Sequence, residues 1–225
     1  MNKKIKSITV SRHDDVIRSV NEEDAEVVES RHLYSEFNIA GQPVQEIKYD
    51  RSGGFEERSD YAYNEAGQLI SECYYPAEDE LAEKKLYDWN EAGQVVASHK
   101  EYSDGSVDHT RYFYDDQGRL VRRVTTSEDE EEETEEIEYP DPADDGDDQG
   151  DAPEESGEGL RIIRNEKGQV ILEEEHNEEG ELLTRVERTY ADDGRLLEVE
   201  AFIDGQGRAM SRHYLLKYDY MFYEE

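Results

Sequence analysis

Aromatic and β-branched residues along this chain fall in short runs broken by polar turns, and within the runs side chains such as Tyr61/Tyr63 and Tyr112/Tyr114 keep every second position. Period two places such residues on one face of a β-strand, whereas a helix needs spacings of three and four. Tyr, Val, Ile and Thr also favour the half-buried surface of a sheet. The pattern predicts an all-β chain.

The runs repeat. Tyr61-Ala-Tyr63-Asn64-Glu-Ala-Gly67-Gln68-Leu69 returns as Tyr87-Asp-Trp89-Asn90-Glu-Ala-Gly93-Gln94-Val95, and again as Tyr112-Phe-Tyr114-Asp115-Asp-Gln-Gly118-Arg119-Leu120. Weaker copies surround Phe37 and Gly41, Arg164 and Gly168, and Tyr190 and Gly194. The glycines at 41, 67, 93, 118, 168 and 194 are separated by 26, 26, 25, 50 and 26 residues, so the period is about 26 with one double-length gap. Shorter turns such as Tyr102-Ser-Asp104-Gly105 stand midway, so each unit reads as two strands. Asn-Glu-Ala-Gly fits a type I turn whose glycine sits in the left-handed region, with Asn bonding backbone amides further on.

The gap coincides with residues 128–158, which hold 18 Asp or Glu among 31, no Lys or Arg, and Pro140, Pro142 and Pro153. Such a segment buries too little apolar surface to offset its ordering entropy. It is expected to be a disordered insertion into one hairpin, between strands at 119–126 and 160–165, with room for one short strand at Ile137-Glu-Tyr139. Residues 1–127 and 159–225 then form two parts of one β-repeat domain. The expected fold is an antiparallel meander of roughly 12–14 strands, curled or spirally twisted, because a flat layer that wide is unusual.

Tyr112-Phe-Tyr114-Asp115-Asp-Gln-Gly118-Arg119-Leu120, and next Thr189-Tyr190-Ala-Asp-Asp-Gly194-Arg195-Leu196, resemble the signature of the YD-repeat, or RHS-repeat, family. The similarity spans roughly residues 34–220 without the insertion. The resemblance implies β-sheets that spiral into shells or wrap cargo, often in secreted polymorphic toxins. This chain is far shorter than a shell, has no apparent secretion signal and shows no toxin domain after the last repeat. It looks like a small free-standing relative.

Composition then narrows the function. The chain has 225 residues, 60 acidic and 25 basic, for a net charge of −35. Without the 18 acids of the insertion the balance is still 42 against 25, or −17, so acidity also belongs to the repeats. Bare nucleic acid and anionic membrane are poor partners for such a charge, and basic proteins are good ones. Only 34% of residues are hydrophobic, against roughly 45–50% in ordinary domains, which disfavours a large layered enzyme core. The basic amino-terminal stretch lacks an apolar h-region, and no run approaches the ~20 apolar residues of a membrane span. A cytoplasmic location is expected.

Candidate chemistry is sparse. Phe37, Tyr63, Trp89, Tyr114 and Tyr190 share one repeat position, interrupted by Arg164, and read either as a cross-strand packing ladder or as a stacking platform for sugar rings. The loop from Asp141 has Ala143 and Ala152 where a calcium-binding hand needs oxygen ligands. Ser103, Asp104, Asp108 and His109 hold the residue types of a hydrolytic triad without its Gly-x-Ser-x-Gly elbow. His13, His32, His99, His176 and His213 lack metal-ligand spacing, Gly205-Gln-Gly207 precedes no helix that would make it a phosphate cradle, and Cys73 has no basic neighbour in sequence to activate it. No catalytic, cofactor-binding or metal-binding residues are assigned, and no cofactor is expected. The expected function is non-catalytic: a protein-binding module whose acidic surface engages a basic partner, for instance as immunity protein or chaperone for a polymorphic toxin. The alternative is a carbohydrate-binding or cell-envelope structural repeat.

Overall fold

The computed structural model describes residues 3–16, 26–127, 132–139, 159–205 and 212–224. They form fifteen strands: β1 (Ile5–Val16), β2 (Glu26–Phe37), β3 (Pro43–Tyr49), β4 (Phe55–Tyr63), β5 (Leu69–Tyr75), β6 (Glu83–Trp89), β7 (Val95–Tyr102), β8 (Val107–Tyr114), β9 (Leu120–Thr126), β10 (Glu133–Glu136), β11 (Leu160–Arg164), β12 (Val170–His176), β13 (Leu182–Tyr190), β14 (Leu196–Ile203) and β15 (Arg212–Phe222). All pairings are antiparallel within one open sheet, and the described residues contain no helix.

The main turns explain the repeat. At the first strong copy, Gly67 N–H donates to the Asn64 carbonyl and Asn64 N–H to the Gln68 carbonyl, both at 2.9 Å. The Asn64 side-chain oxygen accepts from the amides of Ala66 and Gln68 at 3.0 Å. Gly67 takes φ +79°, a conformation in which a Cβ would crowd the following carbonyl, and the strand register slips by one residue between Ala62 and Tyr63. Gly41, Gly93, Gly118, Gly168 and Gly194 take φ between 78° and 90° in the same setting.

Strand order departs from a simple sequential meander. It runs β10 to β1, then β15 back to β11. The first and last strands therefore meet in the middle, from Ile5 opposite Phe222 to Asp14 opposite Tyr214. Ile8 and Val10 face Tyr220 and Tyr218 across this seam, and Val10 is 2% exposed. The Arg12 guanidinium lies 4.0 Å above the Tyr214 ring and holds both Asp14 carboxylate oxygens, at 2.8 and 2.9 Å. That bond holds the Asp14 carboxyl below its ordinary range, against the opposing effect of burial.

This order corrects two expectations. Residues 128–158 do not interrupt one hairpin, because β9 pairs with β8 and β10, while β11 pairs only with β12. The segment instead spans from one edge of the sheet to the other, because the β1–β15 pairing has moved the sheet's edges to the middle of the chain. The short strand within it is Glu133–Glu136, ending immediately before Ile137, whose N–H adds one further backbone bond to the Val121 carbonyl. Arg123 pairs with Glu135 there, so cross-strand charge compensates for poor intrinsic strand preference. The remainder of the expected insertion, 128–131 and 140–158, lies outside the described residues.

Close contacts join only strands that are hydrogen-bonded neighbours. Among the described residues just three apolar side chains are buried: Val10, Val124 and Ala201. Most aromatic rings are half-buried. Cohesion is therefore lateral, from side chain to adjacent strand, and the turns that set register matter more than a deep core. Gly67→Ala and Gly93→Ala should each cost about 1–2 kcal/mol in urea unfolding, whereas Ala66→Ser and Ala92→Ser in the same turns should be near neutral. Equal tolerance at glycine and alanine positions would contradict the left-handed turn.

Candidate functional site

The aromatic row stands at the strand ends just before the main turns, all of which lie along one edge of the sheet. Between hairpins the backbone ladder stops short of that edge. The β5–β6 register ends at Ser71 and Leu86, leaving the Leu69 carbonyl beyond it, and the β7–β8 register ends at Ala97 and Arg111, leaving Val95. Trp89 Nε1–H donates to the Leu69 carbonyl, and the Tyr114 hydroxyl to the Val95 carbonyl, each at 2.8 Å. The Tyr190 hydroxyl bonds the Val170 carbonyl at 3.0 Å. Two tyrosines absent from the expected row do the same: Tyr139 to Leu120 at 3.0 Å, and Tyr220 to Leu196 at 2.7 Å. The spacing between donor and acceptor, 19 or 20 residues in four of these pairs and 24 in the Tyr220–Leu196 pair, was the available signal. Phe37 has no polar group, and Tyr63 makes no side-chain hydrogen bond among the described residues. Arg164 stands on an outer strand and turns back to its own turn, bonding the Gly168 carbonyl at 3.1 Å.

Two residues earlier a second row links the same hairpins. The Tyr61 hydroxyl donates to Glu46 and the Tyr87 hydroxyl to Glu72, both at 3.0 Å, while Arg188 replaces tyrosine and bonds Glu173 at 3.1 Å. Burial and the carboxylate acceptor push the Tyr61 phenol up to about 12 and the Tyr87 phenol higher still, so both remain donors. A third link joins turn to turn. Gln42 Nε2–H reaches the Gly67 carbonyl at 2.6 Å, Gln94 the Gly118 carbonyl at 3.3 Å, and Gln169 the Gly194 carbonyl at 2.9 Å.

These links fix the geometry of the turn edge. Exposed carboxylates stand at the tips of five of the six main turns: Glu65, Glu91 and Asp116 on one arm, Glu166 and the adjacent pair Asp192 and Asp193 on the other, while the sixth tip carries Ile39 and Ala40. Successive turns are two strands apart, or about 10 Å. Between the arms lies a shallow hollow lined by Lys3, Lys4, Ile5, Phe37, Ile39, Ala40 and Gly41. Ile39 is 60% exposed.

The other sequence candidates do not assemble. Asp108 and His109 are consecutive in β8 and point to opposite faces, and Asp108 accepts from Tyr102 at 2.7 Å and Ser127 at 2.5 Å. Those two donors hold its carboxyl below the ordinary range. Ser103 lies in the turn before β8, where its amide bonds the Ala82 carbonyl. Cys73 is half-buried, 3.9 Å from the Ser71 hydroxyl. The loop from Asp141, and Gln206 and Gly207, lie outside the described residues. One pairing escaped the sequence reading: His99 and His109 stand directly opposite one another in β7 and β8. The Tyr102–Gly105 turn sets that register and was the signal for it.

No family model matches the chain, and no curated protein matches it. Solved structures similar to it include a porin-like protein from Bacteroides uniformis, 11% identical, covering 98% of this chain and 99% of that one at a TM-score of 0.39. A TcdB2-TccC3-TEV structure is 14% identical over 82% of this chain, with a TM-score of 0.34; the chain spans 13% of its length.

The hydroxyl bonds of the aromatic row have a measurable worth. Tyr114→Phe, Tyr190→Phe and Tyr220→Phe keep the ring but strand a backbone carbonyl, and should each lose about 0.5–1.5 kcal/mol of unfolding free energy. Tyr63→Phe should change stability far less. Equal effects at all four positions would mean that the ring alone, and not its donor, ties the hairpins together.

Proposed function

We propose that the protein is a non-catalytic binding module that engages a basic protein partner through the turn edge of its sheet. The observation that carries this reading is the row of exposed carboxylates at the tips of five of the six main turns, with glutamine links joining three pairs of neighbouring turns. A preorganised row of like charge repels itself in the free protein, and that repulsion is relieved when cations align against it. The hollow around Ile39 offers an apolar floor between the two acidic arms, which suits a hydrophobic side chain of the partner, with Lys3 and Lys4 on its wall directing the partner's own cations outward to the arms. Immunity to, or chaperoning of, a polymorphic toxin is the concrete form that the resemblance to YD-repeat proteins implies. A sugar-binding role for the aromatic row is less favoured, because Trp89, Tyr114 and Tyr190 spend their polar groups on the neighbouring backbone.

The test is affinity capture on the purified protein from its native cell, identification of the bound protein, and stopped-flow association with it. A basic partner should associate markedly more slowly as salt rises from about 50 to 500 mM, with dissociation changing less. Changing Glu65, Glu91, Asp116, Glu166 and Asp192 together to Gln should reproduce much of that loss at low salt. An acidic partner, or an association rate indifferent to both salt and these substitutions, would overturn the proposal.

A further inference from the structure

The His99 and His109 rings meet across the β7–β8 pair with centroids 4.8 Å apart and planes at 80°. Their Nδ1 atoms are 2.6 Å apart. On the far side of the His99 ring, Nε2 lies 3.2 Å from Asp88 Oδ2, on β6. A carboxylate accepts only, so Nε2 carries the proton and His99 Nδ1 presents a lone pair. His109 Nδ1–H then donates into that lone pair. Two imidazole nitrogens thus stand 2.6 Å apart around one shared proton, and a carboxylate orients the first from behind. That is the arrangement by which a carboxylate bonded to the far nitrogen fixes a histidine ligand on a metal.

We propose that this pair is a surface site for a divalent late-transition-metal ion, Cu²⁺ or Zn²⁺, bound by His99 Nδ1 and His109 Nδ1 and completed by solvent. The ion takes the place of the shared proton. His109 keeps one N–H, which moves through water from Nδ1 to Nε2, so both ligands remain neutral and no net proton is released. Ligands about 2.0–2.1 Å from such an ion stand about 2.9–3.4 Å from each other, so the rings must part by about 0.3–0.8 Å and tilt until both Nδ1 lone pairs face the ion. Both rings lie on one face of the sheet, His109 exposed and His99 half-buried, with Leu86 directly across from His99 and Thr126 across from His109. The charged groups nearest on the same face are Asp88, the cross-strand pair Lys84 and Glu101, and Arg111, which is itself 3.6 Å from Glu132. Imidazole prefers these ions to Ca²⁺ and Mg²⁺, which take oxygen ligands. Among the described residues no cluster of three or more His, Cys, Asp or Glu has ligating geometry, so the site holds two protein ligands and open positions.

The acidic chain attracts any cation, so the test must read nitrogen ligation. Cu²⁺ titrated into the full-length protein should bind one equivalent tightly, with an electron paramagnetic resonance spectrum showing coupling to two imidazole nitrogens. Zn²⁺ should compete for it and Mg²⁺ should not. His99→Ala and His109→Ala should each remove the two-nitrogen signature while leaving the thermal unfolding midpoint close to that of the parent. Asp88→Asn should weaken binding about 10–100-fold, and His176→Ala should leave it unchanged. Persistence of the nitrogen signature in the His99→Ala/His109→Ala double variant would overturn the site, and so would its absence from the parent protein.

Discussion

A sheet one layer thick has no interior in which to hide its backbone, so its stability depends on how each hairpin is attached to the next. Here the ladder between hairpins stops short of the turn edge and leaves a carbonyl beyond its end. Leaving such a group without a partner costs about 1–3 kcal/mol where water is excluded. At Leu69, Val95, Leu120, Val170 and Leu196 an aromatic donor from the following segment closes the gap, and Gln42, Gln94 and Gln169 reach the neighbouring turn. The repeat conserves a system of attachments along its own length: Tyr, Trp, Asn, Gly and Gln each stand where a specific backbone group needs a partner.

The attachments also order the chain globally. Because β1 and β15 pair in the middle, two arms of hairpins spread from one seam, and of the sheet's outer strands one belongs to the acidic segment and the other directly follows it. Those outer strands are β10, with Glu133, Glu135 and Glu136, and β11, with Arg161 and Arg164. Charge on an edge strand discourages pairing with another chain. The placement is economical, since the unavoidable edges coincide with the most strongly charged part of the sequence. The seam between the arms is the opposite in kind: Val10 and Asp14 are buried there, and the Asp14 charge is met by Arg12 and Arg51.

Much of this was legible in the sequence, and what was not has a physical reason. Period-two aromatics and the Asn-Glu-Ala-Gly turns identified the strands and the left-handed glycines, because both are local. The pairing of β1 with β15 was not legible, since no local preference distinguishes a terminal strand at an edge from one at the centre. The misplaced insertion follows directly from that omission. The aromatic residues were found as a row, but the role of their polar groups was missed, because it depends on where the neighbouring ladder ends. His99 and His109 looked scattered while treated as sequence positions ten apart. Once the Tyr102–Gly105 turn sets the register, they face each other.

An array held together by nearest neighbours around a central seam should not open uniformly. Native-state hydrogen exchange, followed residue by residue, measures this directly. The account predicts the strongest protection for amides shared by β1, β2 and β15, with protection declining outward along both arms to β10 and β11. Uniform protection across all strands, or an amide-exchange maximum in an outer arm with the seam opening first, would contradict it.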